Sequence, residues 1–74
     1  MVINLFELNK NKQAKYISCE DVAKGRELRS YGFVPRVNVE VVSRTKHCVV
    51  VRVLDGLFSI NKVLAGKIKV EVKD

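Results

Sequence analysis

Leu28-Arg-Ser-Tyr-Gly-Phe-Val-Pro35, followed without a break by Arg36-Val-Asn-Val-Glu-Val-Val42, decides the fold. Leu28 and Tyr31 are three residues apart, so in a helix they lie on one face in adjacent turns. Gly32 is placed to stop that helix in a left-handed conformation, which glycine adopts at no steric cost. Phe33 and Val34 are apolar and are expected to tuck back over a core. Pro35 fixes φ at the first corner of a turn. Val37, Val39 and Val41 then alternate with Asn38 and Glu40, the pattern of a strand with one face on a core and the other in water.

Working downstream, that strand runs from about Val37 to Arg44. Polar Ser43-Arg44-Thr45-Lys46 reads as a hairpin connection to a strand from about His47 to Leu54. In it Val49, Val51 and Val53 share one face, and Cys48, Val50, Arg52 and Leu54 the other. Asp55-Gly56 predicts a tight turn, with Gly56 supplying positive φ. A short strand over Leu57 to Ile60 follows. Asn61 is placed to cap a helical turn through Lys62-Val63-Leu64-Ala65 that Gly66 ends. In Lys67 to Lys73, Ile68, Val70 and Val72 face one way, and Lys67, Lys69, Glu71 and Lys73 the other.

Working upstream, a helix is expected over about Asp21 to Tyr31, with Ser18 as its cap and Glu20 and Asp21 near its positive end. Its apolar positions are Val22, Ala23, Leu28 and Tyr31, and Gly25 limits its length. Ala14 to Ile17 reads as a strand after the polar turn Asn9 to Lys12. The chain is thus expected to be mainly β, with about five short antiparallel strands, one helix over about 21–31 and a helical turn over about 61–65. Short strands joined by tight turns close on themselves, because closure removes exposed edges. A small SH3-like barrel fits best, as one domain over residues 1–74. An OB-fold suits the strand number but generally needs a longer chain.

Size and composition bound the chemistry. A domain of 74 residues buries only roughly 60% of its unfolded surface, which leaves little room for both a core and a deep cleft. The chain is 47% hydrophobic and 30% charged, a globular balance. No apolar run approaches the ~20 residues that span a bilayer. Met1 to Phe6 is too short, and too soon interrupted by Glu7, for a secretory signal, so the chain is expected in the cytoplasm. Cys19 and Cys48 are expected to be buried thiols rather than a disulfide. The net charge is +6, from 14 basic and 8 acidic side chains, which favours an acidic partner surface. The basic residues are dispersed and read first as a solvated surface.

Catalytic patterns are missing. His47 adjoins Cys48, but neighbours on a strand point to opposite faces and cannot readily share one metal. No Cys-x-x-Cys or His-x-x-x-His spacing occurs. The four glycines are scattered as turn residues rather than gathered in a phosphate loop. The expectation is a non-enzymatic protein with no catalytic residue, cofactor or metal site of its own. Phe6, Phe33 and Phe58 read as core, whereas Tyr16 and Tyr31 can present hydroxyls at the surface.

The order and spacing of these pieces resemble the FeoA family, the small SH3-like proteins of bacterial ferrous iron uptake. The resemblance rests on Leu28, Gly32, Phe33 and Pro35; on Val37 to Val41; on Ile60 through Ala65; on Ile68 to Val72; and on Leu5-Phe6-Glu7-Leu8 at the start. It departs at Arg36, where the family has glycine, so a type I turn or a strained corner is expected there. It departs again at Asn11-Lys12, where the family has Pro-Gly. The resemblance implies a cytoplasmic accessory protein of ferrous iron transport. Its implied partner is a FeoB-type membrane GTPase transporter, met at the cytosolic G domain or the membrane portion, which would recruit the chain to the inner face of the membrane. Whether a transition metal ion touches the chain is left open. SH3-like barrels bind extended peptides in apolar grooves. The contact surface is expected around Leu28, Tyr31, Phe33, Val34, Pro35 and Arg36, with Arg44 and Lys46 at the hairpin tip. Leu28 and Phe33 serve equally well as filling for the barrel end. The alternative is a small basic barrel that binds nucleic acid, supported by the +6 charge. A third reading is the SH3-like module found at the end of some metal-dependent repressors.

Overall fold

Strand alternation builds the core. In a computed structural model that describes residues 1–72, Val39, Val41, Val49, Val51, Val53, Ile68 and Val70 all turn inward and are almost completely buried. The strands that carry them are β3 (Asn38–Arg44), β4 (Cys48–Val53) and β6 (Ile68–Glu71). They join β1 (Val2–Asn4), β2 (Gln13–Cys19) and β5 (Gly56–Asn61) in one antiparallel sheet of order β1-β6-β2-β3-β4-β5. The sheet forms a small SH3-like barrel. Leu5 and Leu8, on and after a 3-10 turn at Leu5–Glu7, fill the core together with Ala65 from the short helix α2 (Lys62–Ala65).

Six strands replace the expected five, because Val2–Asn4 pairs with β6. This three-residue strand is too short to show alternation. The backbone of Val72 completes the junction: its N–H donates to the Met1 carbonyl at 2.8 Å. Consequently β6 is an interior strand between β1 and β2, and the free edges are β1 and β5. On its outer face Lys69 pairs with Glu20 at 3.0 Å. Lys73, expected on that same face, lies outside the described residues.

The helix α1 (Val22–Ser30) starts at Asp21, whose carboxylate accepts from the Lys24 N–H at 3.1 Å. Ser18 is not its cap; it lies within β2. The far end closes as a Schellman motif. Phe33 N–H donates to the Leu28 carbonyl and Gly32 N–H to that of Arg29, each at 3.1 Å. Gly32 has φ of 106°, and the apolar pair that accompanies such a cap is Leu28 with Phe33.

Val34 to Val37 form the turn into β3, with the Val37 N–H on the Val34 carbonyl at 3.0 Å. The turn is type II in character, not type I. Arg36 takes φ of 74°, the left-handed corner that favours glycine. Its own N–H donates to the Tyr16 carbonyl at 2.7 Å, which holds the strained corner in place. The β4–β5 turn also differs from expectation. Positive φ falls on Leu54, at 55°, and not on Gly56. Gly56 is needed for another reason: a Cβ there would stand 2.7 Å from Cζ of Phe58. Asn61 caps α2 as expected, accepting from Leu64 N–H at 2.9 Å.

Two further side chains set the packing. The Arg44 guanidinium donates to the carbonyls of Leu8 and Phe6, both at 2.7 Å, and lies 4.8 Å from the centre of the Phe6 ring. It ties the N-terminal segment to β3. The Tyr16 side chain is largely buried. Burial pushes its phenol above the ordinary value; nearby Cys19 adds to the rise and Arg29 partly offsets it.

Four outcomes follow for stability, each read by chemical denaturation. Gly32→Ala should destabilise by about 1–3 kcal/mol, through left-handed strain and the push on Leu54. Arg36→Gly should stabilise by up to about 1 kcal/mol, and a loss of stability would contradict a strained corner. Arg44→Lys should cost about 1–3 kcal/mol, since an ammonium cannot reproduce the fork on two carbonyls. The raised Tyr16 phenol means that the folded state holds its proton more tightly than the unfolded chain. Its contribution is complete below about pH 10 and is lost as pH rises through the folded value. Wild type should therefore lose more stability than Tyr16→Phe between about pH 8 and pH 11.

Candidate functional site

The Schellman cap and the turn at Arg36 divide the expected surface into buried and exposed parts. Leu28 is 7% exposed and Phe33 only 1%. Both therefore fill the barrel end rather than present themselves to a partner. Tyr31, Val34, Pro35 and Arg36 are exposed above them. Arg44 is occupied in its clamp on Phe6 and Leu8, which corrects its expected role as a free contact residue. Lys46 is exposed, but it follows the far end of β3. Seven residues of strand span roughly 20 Å, so Lys46 and the Pro35–Arg36 corner sit near opposite ends of the barrel.

A line of aromatic rings supports the exposed end. Tyr16 meets Phe33 edge-to-face at 5.8 Å, Phe33 meets Phe58 at 5.4 Å, and Phe58 meets Tyr31 at 5.6 Å. Such pairs prefer these offset geometries and stiffen the surface that they carry. Beside this line a groove opens between α1 and β2. Tyr16, Phe33 and Pro35 line it from below, and Val22, Arg26 and Arg29 from the helix side, around a cavity of about 260 Å³. Past Tyr16, Ile17 and Pro35 the surface continues into a second hollow of about 280 Å³, bounded by Lys15, Arg36 and Glu71.

Sequence reasoning placed Phe33, Pro35 and Arg36 on this surface but missed Tyr16, Ile17, Arg26 and Arg29. A signal for the helix side existed. Val22, Arg26 and Arg29 are spaced four and three residues apart and therefore share one face of α1. Tyr16 stands at the end of the pairing of β2 with β3 and Ile17 beyond it, and no local pattern marks where that pairing stops. The groove holds hydroxyl, guanidinium and apolar surface, a set suited to binding. Among the described residues no group of three or more His, Cys, Asp or Glu side chains is placed to hold a metal ion. Cys19 and Cys48 are free thiols, only partly buried rather than enclosed in the core.

No family model and no curated protein matches this sequence. Solved structures do match. The crystal structure of an iron uptake regulatory protein, FeoA, superposes with a TM-score of 0.81 at 25% identity, over 96% of each chain. The FeoA protein of Chlorobium tepidum gives a TM-score of 0.88 at 21% identity, over 97% of this chain and 71% of its own. A manganese-dependent transcriptional repressor gives 0.84 at 14% identity, over 97% of this chain but only 42% of the repressor. Nearly all of this chain, from the first strand through the groove to the last, thus has the FeoA-like fold.

Proposed function

We propose that this chain is a small accessory protein of ferrous iron transport that acts without catalysis, by docking on a FeoB-type membrane GTPase transporter. The observation that carries the proposal is the end-to-end likeness to an iron uptake regulatory protein over 96% of both chains. The groove supports it, because apolar and cationic groups are exposed together on a stiff base. In this reading the protein works in the cytoplasm and reaches the inner face of the membrane through its partner. Docking changes nucleotide hydrolysis or transport by the partner. Iron is the cargo of the system.

A nucleic-acid-binding barrel is the second reading, favoured by the +6 charge. The aromatic rings weigh against it. Stacking platforms need several exposed ring faces, yet Phe33 and Tyr16 are buried, Phe58 is only partly exposed, and Tyr31 alone of the four rings in the line is exposed.

Affinity capture from detergent-solubilised membranes, using the tagged chain, is expected to retain the transporter. Deletion of the gene is expected to lower ferrous iron uptake. Failed capture together with normal uptake would overturn the proposal. A mobility shift of oligonucleotides at low salt, lost steeply as salt rises, would favour the second reading.

A further inference from the structure

We infer that the groove between α1 and β2 binds an extended acidic segment of a partner protein, which adds a short strand beside Ile17–Cys19 and places carboxylates on Arg26, Arg29 and Arg36. The inference rests on the docking reading above and names its site and the chemistry of the docked segment.

The first ground is an unfinished strand. Pairing of β2 with β3 runs from Gln13↔Glu40 to Lys15↔Asn38. Two more bonds close it, Tyr16 N–H to the Val37 carbonyl at 2.9 Å and Arg36 N–H to the Tyr16 carbonyl at 2.7 Å. The left-handed corner at Arg36 then carries the chain away. From Ser18 to Cys19, β2 pairs with β6 alone, and Ile17 is a bulge in that pairing. Ile17, Ser18 and Cys19 line the groove, and no residue of β3 lies opposite them. A strand flank without its neighbour offers main-chain groups to an incoming peptide, the basis of recognition by strand addition.

The second ground is the apolar surface beside that flank. Val22 is 68% exposed and Ile17 36%, and they stand with Pro35 around the Tyr16 and Phe33 floor. In an added strand alternate side chains point to one side, so one apolar side chain enters the hollow while its neighbours face the rim.

The third ground is charge. Lys15, Arg26, Arg29 and Arg36 line the two hollows, against one acid, Glu71. Among the described residues, the ion pairs are Lys24–Glu27, Arg52–Glu40 and Lys69–Glu20, and none of these four cations takes part in them. The two adjoining hollows thus present four cations against a single acid. Guanidinium groups bind carboxylates through paired hydrogen bonds, which selects an acidic segment over a neutral one.

The probe is a fluorescein-labelled peptide of about ten residues that alternates glutamate with leucine, long enough to extend past both hollows. Fluorescence anisotropy with the full chain should show binding that weakens about tenfold or more between about 50 and 500 mM salt. A peptide with lysine for glutamate should not bind. Arg26→Glu combined with Arg29→Glu should weaken binding at least about tenfold. Amide shifts of the labelled wild type should change at Ile17, Ser18, Cys19 and Arg36 on peptide addition, a measurement independent of how the variant folds. Shifts confined elsewhere, equal binding by the folded double variant, or tighter binding of a single-stranded oligonucleotide would each overturn the inference. Transporter capture is run in parallel. Capture that survives the charge reversals removes the groove but leaves the docking reading intact. Peptide binding at the groove with no capture by wild type removes the transporter and leaves the groove.

Discussion

The hydrogen bond from Phe33 N–H to the Leu28 carbonyl is the contact on which the arrangement turns. It closes the helix end and, with Gly32 in a left-handed conformation, reverses the chain so that the Phe33 ring enters the barrel. Once inside, that ring touches both Tyr16 on β2 and Phe58 on β5. One capped helix end therefore links two strands that are not neighbours in the sheet. It also sets the height at which α1 lies over β2, and so opens the groove. Without the reversal, the segment from Val34 to Arg36 would not reach Tyr16, and β3 would have no fixed starting point.

Legibility followed the range of the forces involved. Alternation marked the faces of β3, β4 and β6 correctly, because burial on one side of a strand leaves a period of two in the sequence. The Gly32 stop and the Asn61 cap were readable because each is a local bargain between one side chain or one φ angle and a few backbone groups. What escaped was non-local. The strand Val2–Asn4 exists only because β6 lies beside it. Ser18 looked like a cap, but the ladder to β6 held it in a strand and left the role to Asp21. Arg44 looked like a free cation at a hairpin tip, whereas two carbonyls far away in sequence bind it. Of the site, the corner at Pro35–Arg36 was visible, and the groove that it borders was not, since a groove is made by where two elements end relative to each other.

Arg36 shows why a local rule is broken at such a place. Glycine would sit in that corner without strain, but it would bring no side chain to the groove mouth. The backbone bonds of Tyr16 and Val34 hold the unfavourable conformation in place, as surrounding structure must wherever strain persists. Gly56 illustrates the opposite case. There the backbone is ordinary, and the absence of a side chain matters because the Phe58 ring occupies the space.

The pairing of β1 with β6 has a consequence for how the molecule is made. Val2 lies opposite Glu71, so the first strand finds its neighbour only in the last one. On the ribosome, β1 must wait until nearly all of the described chain has emerged, and the β3–β4–β5 meander can assemble long before it. Closing so long a loop carries an entropic cost that comes before any contact rewards it, which slows the final step relative to the hairpins. The seam between the two ends of the chain closes the longest loop of the described sheet, so an extension attached at Met1 bears directly on that seam.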